Sequence, residues 1–452
     1  MSAETFAATI RAALGSAAGT AARTITGTGT LPSAFPVTDL AAGSVAAAGL
    51  AIADLVGTVG ATPAVSVDRR LASLWFRTSL RPIGWTLPDL WDPVAGDYRT
   101  RDGWIRLHTN APHHRAAAER VLGAQADRAG MAAAVAGWDK SDLEAAIVAE
   151  GGCAAEMRSV EAWAAHPQGA AVAAEPLVAF DPGAAARSSW KPEPARPLAG
   201  LRVLDLTRVL AGPVATRFLA GFGAEVLRID PPGWNEPGVE VHMTLGKRCA
   251  RLDLRREADR NRFEALLTGA DILVHGYRPE ALDRLGYGAA ARRALSPGLI
   301  DVSLDAYGWT GPWAGRRGFD SLVQMSCGIA EAGQAWRNAD RPVPLPVQAL
   351  DHATGYLLAA AAIRLLERRL RDGRAGAARL SLARTARLLL DAERTGSMEA
   401  FAPEADDDFD AGVEATPWGP AHRLRPPLAV AGAPVRWSLP ARRLGTDRPA
   451  WT

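Results

Sequence analysis

One acidic residue in the second half of the chain stands where a helical pattern begins. Asp351 follows Ala-Leu and precedes His-Ala-Thr-Gly, and a long apolar run continues from there. The favourable end of a helix dipole stabilises a carboxylate by about 0.3–1 kcal/mol. The position therefore predicts an ionised side chain that could attack a carbonyl carbon. It also suits a carboxylate that caps its own helix, and the residues alone favour the cap.

A second segment that could take part in binding or catalysis joins a strand to a helix. Residues 204–213, Leu-Asp-Leu-Thr-Arg-Val-Leu-Ala-Gly-Pro, end an apolar strand and open a helix. Gly212 permits close backbone approach, and Pro213 suits the first helical turn. Free N–H groups at such a helix start could bind phosphate. A plain strand–helix junction is the alternative, because a helix start alone is a weak signal.

The elements that position these residues follow an alternating pattern from residue 201 onward. Apolar strands alternate with helices, which predicts an α/β fold with a doubly wound, mostly parallel sheet covered on both faces. A nucleotide-type ligand is expected beyond the carboxyl ends of the strands. The predicted strands are 201–206, 225–230, 271–275 and 299–303, and the first helix between them is 212–222.

Two aspartates have similar surroundings. The text Phe-Pro-Val-Thr-Asp39-Leu-Ala-Ala-Gly resembles Pro-Val-Gln-Ala-Leu-Asp351-His-Ala-Thr-Gly, 312 residues further on. Ser66 and Ser381 begin a second similar pair, 315 residues apart. Nearly equal offsets favour an internal duplication. The alternative is that alanine-rich helices resemble one another.

Composition narrows the class of protein. The chain has 452 residues, a net charge of +2 and 48% hydrophobic residues, which is typical of a globular enzyme without attraction to nucleic acid or anionic membranes. The apolar run 40–59 contains Asp54, which favours a buried helix over a membrane span. Residues 1–27 lack the pattern of a secretory signal, and three cysteines without metal-binding spacing fit a reducing cytoplasm.

The adjacent His113 and His114 have no acidic partner nearby and are expected at the surface.

Seven segments of the second half occur in one specific order. They are 198–213 (Leu-Ala-Gly-Leu-Arg-Val-Leu-Asp-Leu-Thr-Arg-Val-Leu-Ala-Gly-Pro), 223–230 (Gly-Ala-Glu-Val-Leu-Arg-Ile-Asp), 246–254 (Gly-Lys-Arg-Cys-Ala-Arg-Leu-Asp-Leu), 270–274 (Ala-Asp-Ile-Leu-Val), 277–286 (Tyr-Arg-Pro-Glu-Ala-Leu-Asp-Arg-Leu-Gly), 297–300 (Pro-Gly-Leu-Ile) and 307–312 (Tyr-Gly-Trp-Thr-Gly-Pro). In this order they resemble the family III CoA-transferases, the group that includes formyl-CoA and carnitine CoA-transferases and the alpha-methylacyl-CoA racemases. The resemblance is strong over residues 198–365.

The resemblance implies a function and a site. Asp351 is then the nucleophile of a CoA-transferase that moves CoA from an acyl-CoA thioester to a carboxylic acid through an aspartyl-CoA intermediate. Coenzyme A enters as the acyl-CoA substrate, and no metal is expected. Carried over position by position, the CoA contacts are Val209, Leu210, Ala211, Leu252, Arg255, Tyr277, Arg284 and Leu285.

One residue departs from the family pattern and affects the choice between CoA transfer and racemisation. The racemases have a histidine where this chain has Phe319, and phenylalanine cannot carry a proton, which favours transfer over racemisation. His352 is a poor substitute, because a neighbour in a helix points about 100° away from Asp351. Asp320 is a lesser candidate that could equally bind backbone locally. An acyl-CoA racemase or epimerase and a non-catalytic partner subunit remain the alternative functions.

The resemblance also implies an unusual order of parts. Segments 96–107, 151–155 and 165–169 are similar to the family's small α+β domain, which ordinarily follows the catalytic helix and here precedes the CoA-binding half. The halves therefore resemble a circular permutation, and Asp39, without CoA-binding segments beside it, is expected to be vestigial or structural. A cytoplasmic homodimer without nucleic-acid or membrane partners is expected. The expected parts are a helical segment that repeats the catalytic helix in degenerate form (1–80), the small α+β domain (81–179), a linker (180–197), a large Rossmann-like CoA-binding catalytic domain (198–393) and a docking tail (394–452).

Overall fold

The computed structural model of the protein describes residues 1–16, 22–394 and 396–452. The α-helices in these residues are α1 (Ala3–Ala13), α2 (Val37–Gly57), α3 (Arg69–Trp75), α4 (Pro112–Leu122), α5 (Arg128–Val135), α6 (Lys140–Ala149), α7 (Val160–Ala165), α8 (Pro167–Ala174), α9 (Ala211–Gly221), α10 (Pro237–Met243), α11 (Glu257–Thr268), α12 (Pro279–Arg284), α13 (Ala289–Leu295), α14 (Asp320–Ser326), α15 (Ile329–Arg337), α16 (Ala349–Asp372) and α17 (Leu382–Leu390). The strands are β1 (Arg23–Thr26), β2 (Val65–Asp68), β3 (Leu80–Pro82), β4 (Gly96–Arg99), β5 (Trp104–Leu107), β6 (Ala154–Glu156), β7 (Ala179–Ala185), β8 (Arg202–Leu206), β9 (Glu225–Asp230), β10 (Lys247–Arg251), β11 (Ile272–His275), β12 (Ile300–Asp305), β13 (Arg374–Ser381), β14 (Phe409–Thr416), β15 (Gly419–Leu424) and β16 (Leu428–Val430).

The largest sheet gathers the apolar strands of the second half. Its seven strands stand in the order β10-β9-β8-β11-β12-β13-β7. The first six are parallel, so that the strands numbered one to six along this half lie in the order 3-2-1-4-5-6. The mixed α/β architecture and the four predicted strands are confirmed. The predicted helix is confirmed as α9, which covers one face of this sheet together with α16.

The seventh strand differs from the expectation for this part of the chain. Residues 180–185 were expected to belong to a linker because of their proline and small residues, but they lie in β7, antiparallel to β13. This strand is at the edge of the sheet and pairs on one side. Pro182, which lacks a backbone N–H group, therefore does not interrupt hydrogen bonds between two neighbouring strands. A proline-containing segment can therefore pair here, and only the later residues of the predicted linker lack strand structure.

Two long apolar helices pack together in the centre of the molecule. Helix α2 lies against α16, and most side chains of both helices are buried in one continuous core. Helix α2 is long and apolar enough to cross a membrane by length and composition alone, but 89% of its most apolar window is buried inside the fold. The prediction that the run 40–59 is a buried helix is confirmed.

Two smaller antiparallel sheets flank the site. Strands β4, β5 and β6 form one sheet whose core with α4, α5 and α6 is separate from the central core. This unit contacts the second half through a cluster that joins Cys153 to Leu322 and Met325 of α14. Strands β14 and β15 pair with β3, and Trp437 of the tail stacks on Trp75 at 5.5 Å.

Candidate active site

Asp351 lies in the first turn of α16 and faces two cavities. Its side chain is 8% exposed, and both cavities are lined by it. In the described part of the chain, no hydrogen bond or ion pair holds the carboxyl group. The residues alone favoured a cap, and this expectation is wrong, because the Asp351 side chain bonds no N–H group of its own helix.

The start of α16 is capped instead by Asp320 at the start of α14. Its carboxylate accepts a hydrogen bond from the backbone N–H of Asp351 at 2.9 Å and is held on its other side by the amide of Gln324. Asp320 is fully buried. Asp320 therefore binds a backbone group, as one of the two sequence-based alternatives for this residue proposed. The bound N–H group, however, belongs to α16 and not to the helix that carries Asp320.

The pKa of Asp351 differs from the sequence-based expectation. The helix dipole predicted an ionised group, but burial raises the pKa of Asp351 well above its usual value, and the nearby Asp320 carboxylate raises it further. Burial also raises the pKa of Asp320 to about 6. Stabilisation of the carboxylate by the helix dipole is too small to offset its loss of solvation and the nearby like charge of Asp320.

A buried ionic network holds the loop that follows β8. Asp205 accepts hydrogen bonds from Lys247 Nζ at 2.9 Å and from Thr216 at 2.6 Å. It also accepts from the backbone N–H of Thr207 at 2.9 Å, at the first position of the loop. Because Asp205 and Lys247 are completely buried, their separation would leave an uncompensated charge. The network therefore fixes the loop relative to the sheet.

Val209 in the same loop adopts a strained backbone conformation. Its φ is +65°, which is unfavourable for a β-branched residue. Its N–H donates to Glu236 Oε2 at 2.9 Å, and Glu236 is itself paired with the buried Arg228. Strain of this kind persists only where the surroundings over-determine it, and it is concentrated at functional sites.

The first cavity, which we call the basic cavity, opens at the carboxyl ends of β8 and β11. These strands are neighbours at the point where the strand order reverses, which is where ligands bind in sheets of this kind. Its volume is about 380 Å³. Besides Asp351, its wall includes Arg208, Val209, Ala211, Tyr277, Arg278, Arg316, Arg317, His113, His114 and Phe319.

The arginines of the basic cavity differ in their partners. Arg208 donates to the Tyr277 hydroxyl at 3.1 Å and stacks on Trp234 at 4.4 Å, with no carboxylate partner among the described residues. Arg317 donates to the carbonyl of Gly151 at 2.7 Å. Arg316, in contrast, is paired with Glu144 at 2.9 Å. The cavity therefore presents positive charge that internal carboxylates only partly neutralise.

The second cavity, which we call the apolar cavity, shares Asp351, Val209, Trp234 and Phe319 with the basic cavity. It has a volume of about 280 Å³. His108 stacks on Phe319 with 3.6 Å between ring centroids, and both rings line it. Burial lowers the pKa of His108 to about 3, so the ring is neutral at physiological pH. The remaining lining residues include Leu90, Trp91, Val209, Leu210, Trp234, Val239 and the polar Asp89, Asp92, Asn110, Glu236, Ser321 and Gln348.

The structure brings together five of the nine residues proposed from the sequence. Asp351 and Val209 line both cavities, Leu210 lines the apolar cavity, and Ala211 and Tyr277 line the basic cavity. Four others lie elsewhere: Leu252 and Leu285 pack in the apolar core around β11, and the exposed Arg255 and Arg284 are paired with Asp253 and Glu280.

Other residues of the two cavities were missed. Arg208 and Arg278 lie two and three residues after the ends of β8 and β11, so their position after a parallel strand was an available signal. His108 comes from a distant part of the chain, where no sequence signal pointed to it. The expectation of a surface position is wrong for His114, which is buried against Phe319. His352 stacks on Phe76 at 4.9 Å and lines neither cavity. The tryptophan-rich stretch around Trp75, Trp85 and Trp91 could, from the sequence, equally line a bulky apolar pocket or serve packing. Trp91 lines the apolar cavity, whereas Trp75 and Trp85 pack elsewhere.

Comparison with known families matches the part of the chain that carries this site. The profile described as CoA-transferase family III matches residues 198–413. These residues contain the whole parallel sheet core from β8 to β13, the loop at Val209 and Asp351. Residues 198–413 are thus similar to CoA-transferase family III over just under half of the chain.

The named relatives are similar in sequence to half of this chain or less. The acetyl-coenzyme A transferase nodX of Hypoxylon pulicicidum is 35% identical over 206 residues, which are 43% of this chain and 35% of that protein. The succinyl-CoA:glutarate CoA-transferase of Mus musculus is 30% identical over 50% of this chain and 52% of its own length. A crystal structure of Rv3272 from Mycobacterium tuberculosis is 32% identical, with a TM-score of 0.39, over 43% of this chain and 56% of that one. The chain thus spans about a third to a half of the length of these curated relatives.

Proposed function

We propose that the protein is an acyl-CoA:carboxylate CoA-transferase in which Asp351 forms a covalent aspartyl-CoA intermediate. The observation that carries the proposal is the Asp351 carboxyl group, which has no partner among the described residues and lines both the basic cavity and the apolar cavity. The nucleophile of a CoA-transferase must reach both the thiol group of CoA and the acyl group of the substrate.

The basic cavity fits the CoA part of the substrate. The strand order 3-2-1-4-5-6 is that of sheets that bind dinucleotides at the reversal point, which supports a Rossmann-like assignment. Arg208, Arg278 and Arg317 would meet the phosphates, because guanidinium groups donate two parallel hydrogen bonds to phosphate oxygens. Tyr277 offers an aromatic ring for the base.

The chemistry proceeds through two symmetrical halves. The Asp351 carboxylate attacks the thioester carbonyl carbon, and the C–S bond breaks to give a mixed anhydride and CoA thiolate. The thiolate then attacks the aspartyl carbonyl, which releases the donor acid and leaves the aspartyl-CoA thioester. The acceptor carboxylate attacks this thioester to form a second anhydride, and the returning thiolate takes the acceptor acyl group and restores the aspartate.

The electrostatics of the site affect when this nucleophile is available. Attack requires the ionised carboxylate, but burial and Asp320 raise the pKa of Asp351. The reactive fraction therefore increases as the pH rises through that pKa. Asp320 also holds the start of α16 through its hydrogen bond to the Asp351 N–H, so it both orients the nucleophile and makes it more basic.

Racemisation is less well supported by the same site. Phe319 stands where the racemases have a histidine, and the ring stacked on it, His108, is a poor base because its pKa is about 3. A non-catalytic role would leave the unpartnered buried Asp351 without a purpose. The cytoplasmic location remains a prediction, supported by three free and buried cysteines.

Isotope labelling tests the proposed route. A single turnover of an acyl-CoA with an acceptor acid labelled with ¹⁸O in its carboxylate should leave one ¹⁸O in the Asp351 side chain, because the second anhydride returns one acceptor oxygen to the enzyme. Mass analysis of the peptide that contains Asp351 measures this incorporation. Transfer to the acid without label in that peptide would show a direct route and reject the covalent mechanism.

A further inference from the structure

The charges around the apolar cavity point to the kind of acyl group that it accepts. Among the described residues that line it, none is arginine or lysine, whereas Asp89, Asp92 and Glu236 are carboxylates. His108 adds no charge, because its pKa of about 3 keeps the ring neutral. A second carboxylate on a substrate would therefore find no cation in the wall.

Three cations behind the wall of this cavity are already held in ion pairs, whereas Arg208, which stacks on Trp234, lines the basic cavity. Arg115 is paired with Asp92 at 3.1 Å, and Arg228 is paired with Glu236. Arg106 stacks on Trp91 at 4.8 Å and is paired with Asp97 at 2.7 Å. To release one of them, the protein would have to break an ion pair that is largely buried, which is unfavourable.

We infer that the enzyme exchanges CoA between monocarboxylic acids with uncharged, largely apolar bodies and rejects dicarboxylic acids. This inference rests on the proposed function, in which the acyl group occupies the apolar cavity beside Asp351. The distal carboxylate of a dicarboxylate would lose its hydration there and face Asp89, Asp92 and Glu236. An alkyl chain would instead pack against Leu90, Trp91 and Val239.

Binding of unreactive thioethers tests the inference independently of turnover. S-butyl-CoA and its analogue with a terminal carboxylate, S-(3-carboxypropyl)-CoA, are titrated calorimetrically into Asp351→Asn. We expect the neutral analogue to bind about 100-fold more tightly, since an unpaired buried charge costs several kcal/mol. Equal or tighter binding of the carboxylated analogue overturns the inference. Failure of both analogues and of CoA itself to bind would reject the proposed function instead.

A designed cation provides the complementary test. Leu90 lines the apolar cavity and is 41% exposed, so that an arginine there can enter the cavity without burying its whole length. Leu90→Arg should raise the affinity for the carboxylated analogue at least 10-fold. Leu87→Arg, at a similarly exposed position outside the cavity, is the matched control. If both variants bind the analogue equally, the position of the charge is irrelevant and the inference is wrong.

A separate set of observations concerns the two central helices. The residues before α2 and α16 share an uncommon conformation: Pro36 has φ −75° and ψ 63°, and Gln348 has φ −75° and ψ 65°. In each case the N–H of the first helical residue donates to the carbonyl two positions earlier at 2.8 Å. Asp39 and Asp351 are both the third residue of their helix.

The neighbours of the two helices also correspond. A Cβ placed on Gly43 of α2 would lie 2.7 Å from the Ala3 carbonyl oxygen of α1. A Cβ on Gly355 of α16 would lie 2.5 Å from the Ala211 carbonyl oxygen of α9. Each long helix is followed by a strand, β2 or β13, with a parallel neighbour on one side and an antiparallel neighbour on the other.

From this correspondence we infer that the chain contains both halves of a two-copy assembly and works as a monomer with one active site. Because α2 packs on α16 as its counterpart within the same chain, it takes the place of a second copy and replaces the homodimer expected from the family. The second site is closed, because Asp39 is paired with Arg69 at 3.3 Å and lines neither the basic nor the apolar cavity.

Sedimentation equilibrium and adduct counting test this second inference. The active protein should sediment at 47.6 kDa and carry at most one CoA adduct per chain. Asp39→Asn, with its fold checked by circular dichroism, should keep the wild-type adduct. A mass of twice this value for the active species, or loss of the adduct in folded Asp39→Asn, overturns it.

Discussion

The backbone N–H of Asp351 donates to the Asp320 carboxylate at 2.9 Å, so the start of α16 is held by a residue 31 positions earlier in the chain. The same contact places two carboxyl groups near each other in a buried site, where the charge of one raises the pKa of the other. Asp320 thus contributes, alongside burial, to the raised pKa of the proposed nucleophile and also fixes its position, and substitutions of Asp320 can separate the two effects.

Asp320→Asn should shift the pH dependence of the reaction. The amide keeps an oxygen that accepts from the Asp351 N–H but removes the like charge, so the pKa of Asp351 falls and the acidic limb of the rate profile moves to lower pH. Single-turnover rates between pH 5 and 9 measure this shift. Asp320→Ala also removes the hydrogen bond and should lower the free energy of unfolding by about 1 kcal/mol. An unchanged or alkaline-shifted limb in Asp320→Asn would disprove the electrostatic role.

Asp351→Asn should stabilise the protein at neutral and alkaline pH. A carboxyl group whose pKa is raised by folding binds its proton more tightly in the folded state, so wild-type stability falls as the pH rises from about 4 through the folded pKa of Asp351. The asparagine variant lacks this loss, and its advantage in melting temperature should therefore increase with pH and then level off. Asp142→Asn, at an exposed carboxylate, is the control. A pH-independent difference for Asp351→Asn would contradict the raised pKa.

Arginine substitutions should separate the two sets of proposed CoA contacts. Arg208→Ala and Arg317→Ala remove charge from the basic cavity and should each weaken CoA binding about 10-fold. Arg255→Ala and Arg284→Ala should have little effect in the same titrations, because their side chains are 79% and 72% exposed and lie outside both cavities. The opposite pattern would favour the contacts carried over from the family.

Exchange at the acyl α carbon distinguishes transfer from racemisation. A chiral α-methylacyl-CoA incubated in D₂O should retain its α proton and configuration, because neither Phe319 nor neutral His108 can serve as a strong base. Proton NMR of the recovered thioester provides the measurement. Rapid deuterium incorporation that is lost in Asp351→Asn would establish the racemase alternative.

The sequence predicted the local elements of the site and missed its long-range contacts. Strands β8, β9, β11 and β12 are short apolar runs between helices, so their pattern alone is informative. The cap of α16 by Asp320 and the stack of His108 on Phe319 depend on how distant segments pack, which periodicity does not encode. Strand β7 was missed because the edge position that makes Pro182 acceptable is a tertiary property.

Trapping the covalent intermediate tests the central claim most directly. Wild-type protein incubated with an acyl-CoA in the absence of acceptor acid is examined by intact-mass and peptide mass spectrometry. We predict that CoA is attached through a thioester to Asp351, and that Asp351→Ala, with its fold verified, shows no adduct and at least a 1,000-fold loss of transfer. An adduct that forms equally well in Asp351→Ala, or on another residue of the wild-type chain, would contradict the assignment of Asp351 as the nucleophile.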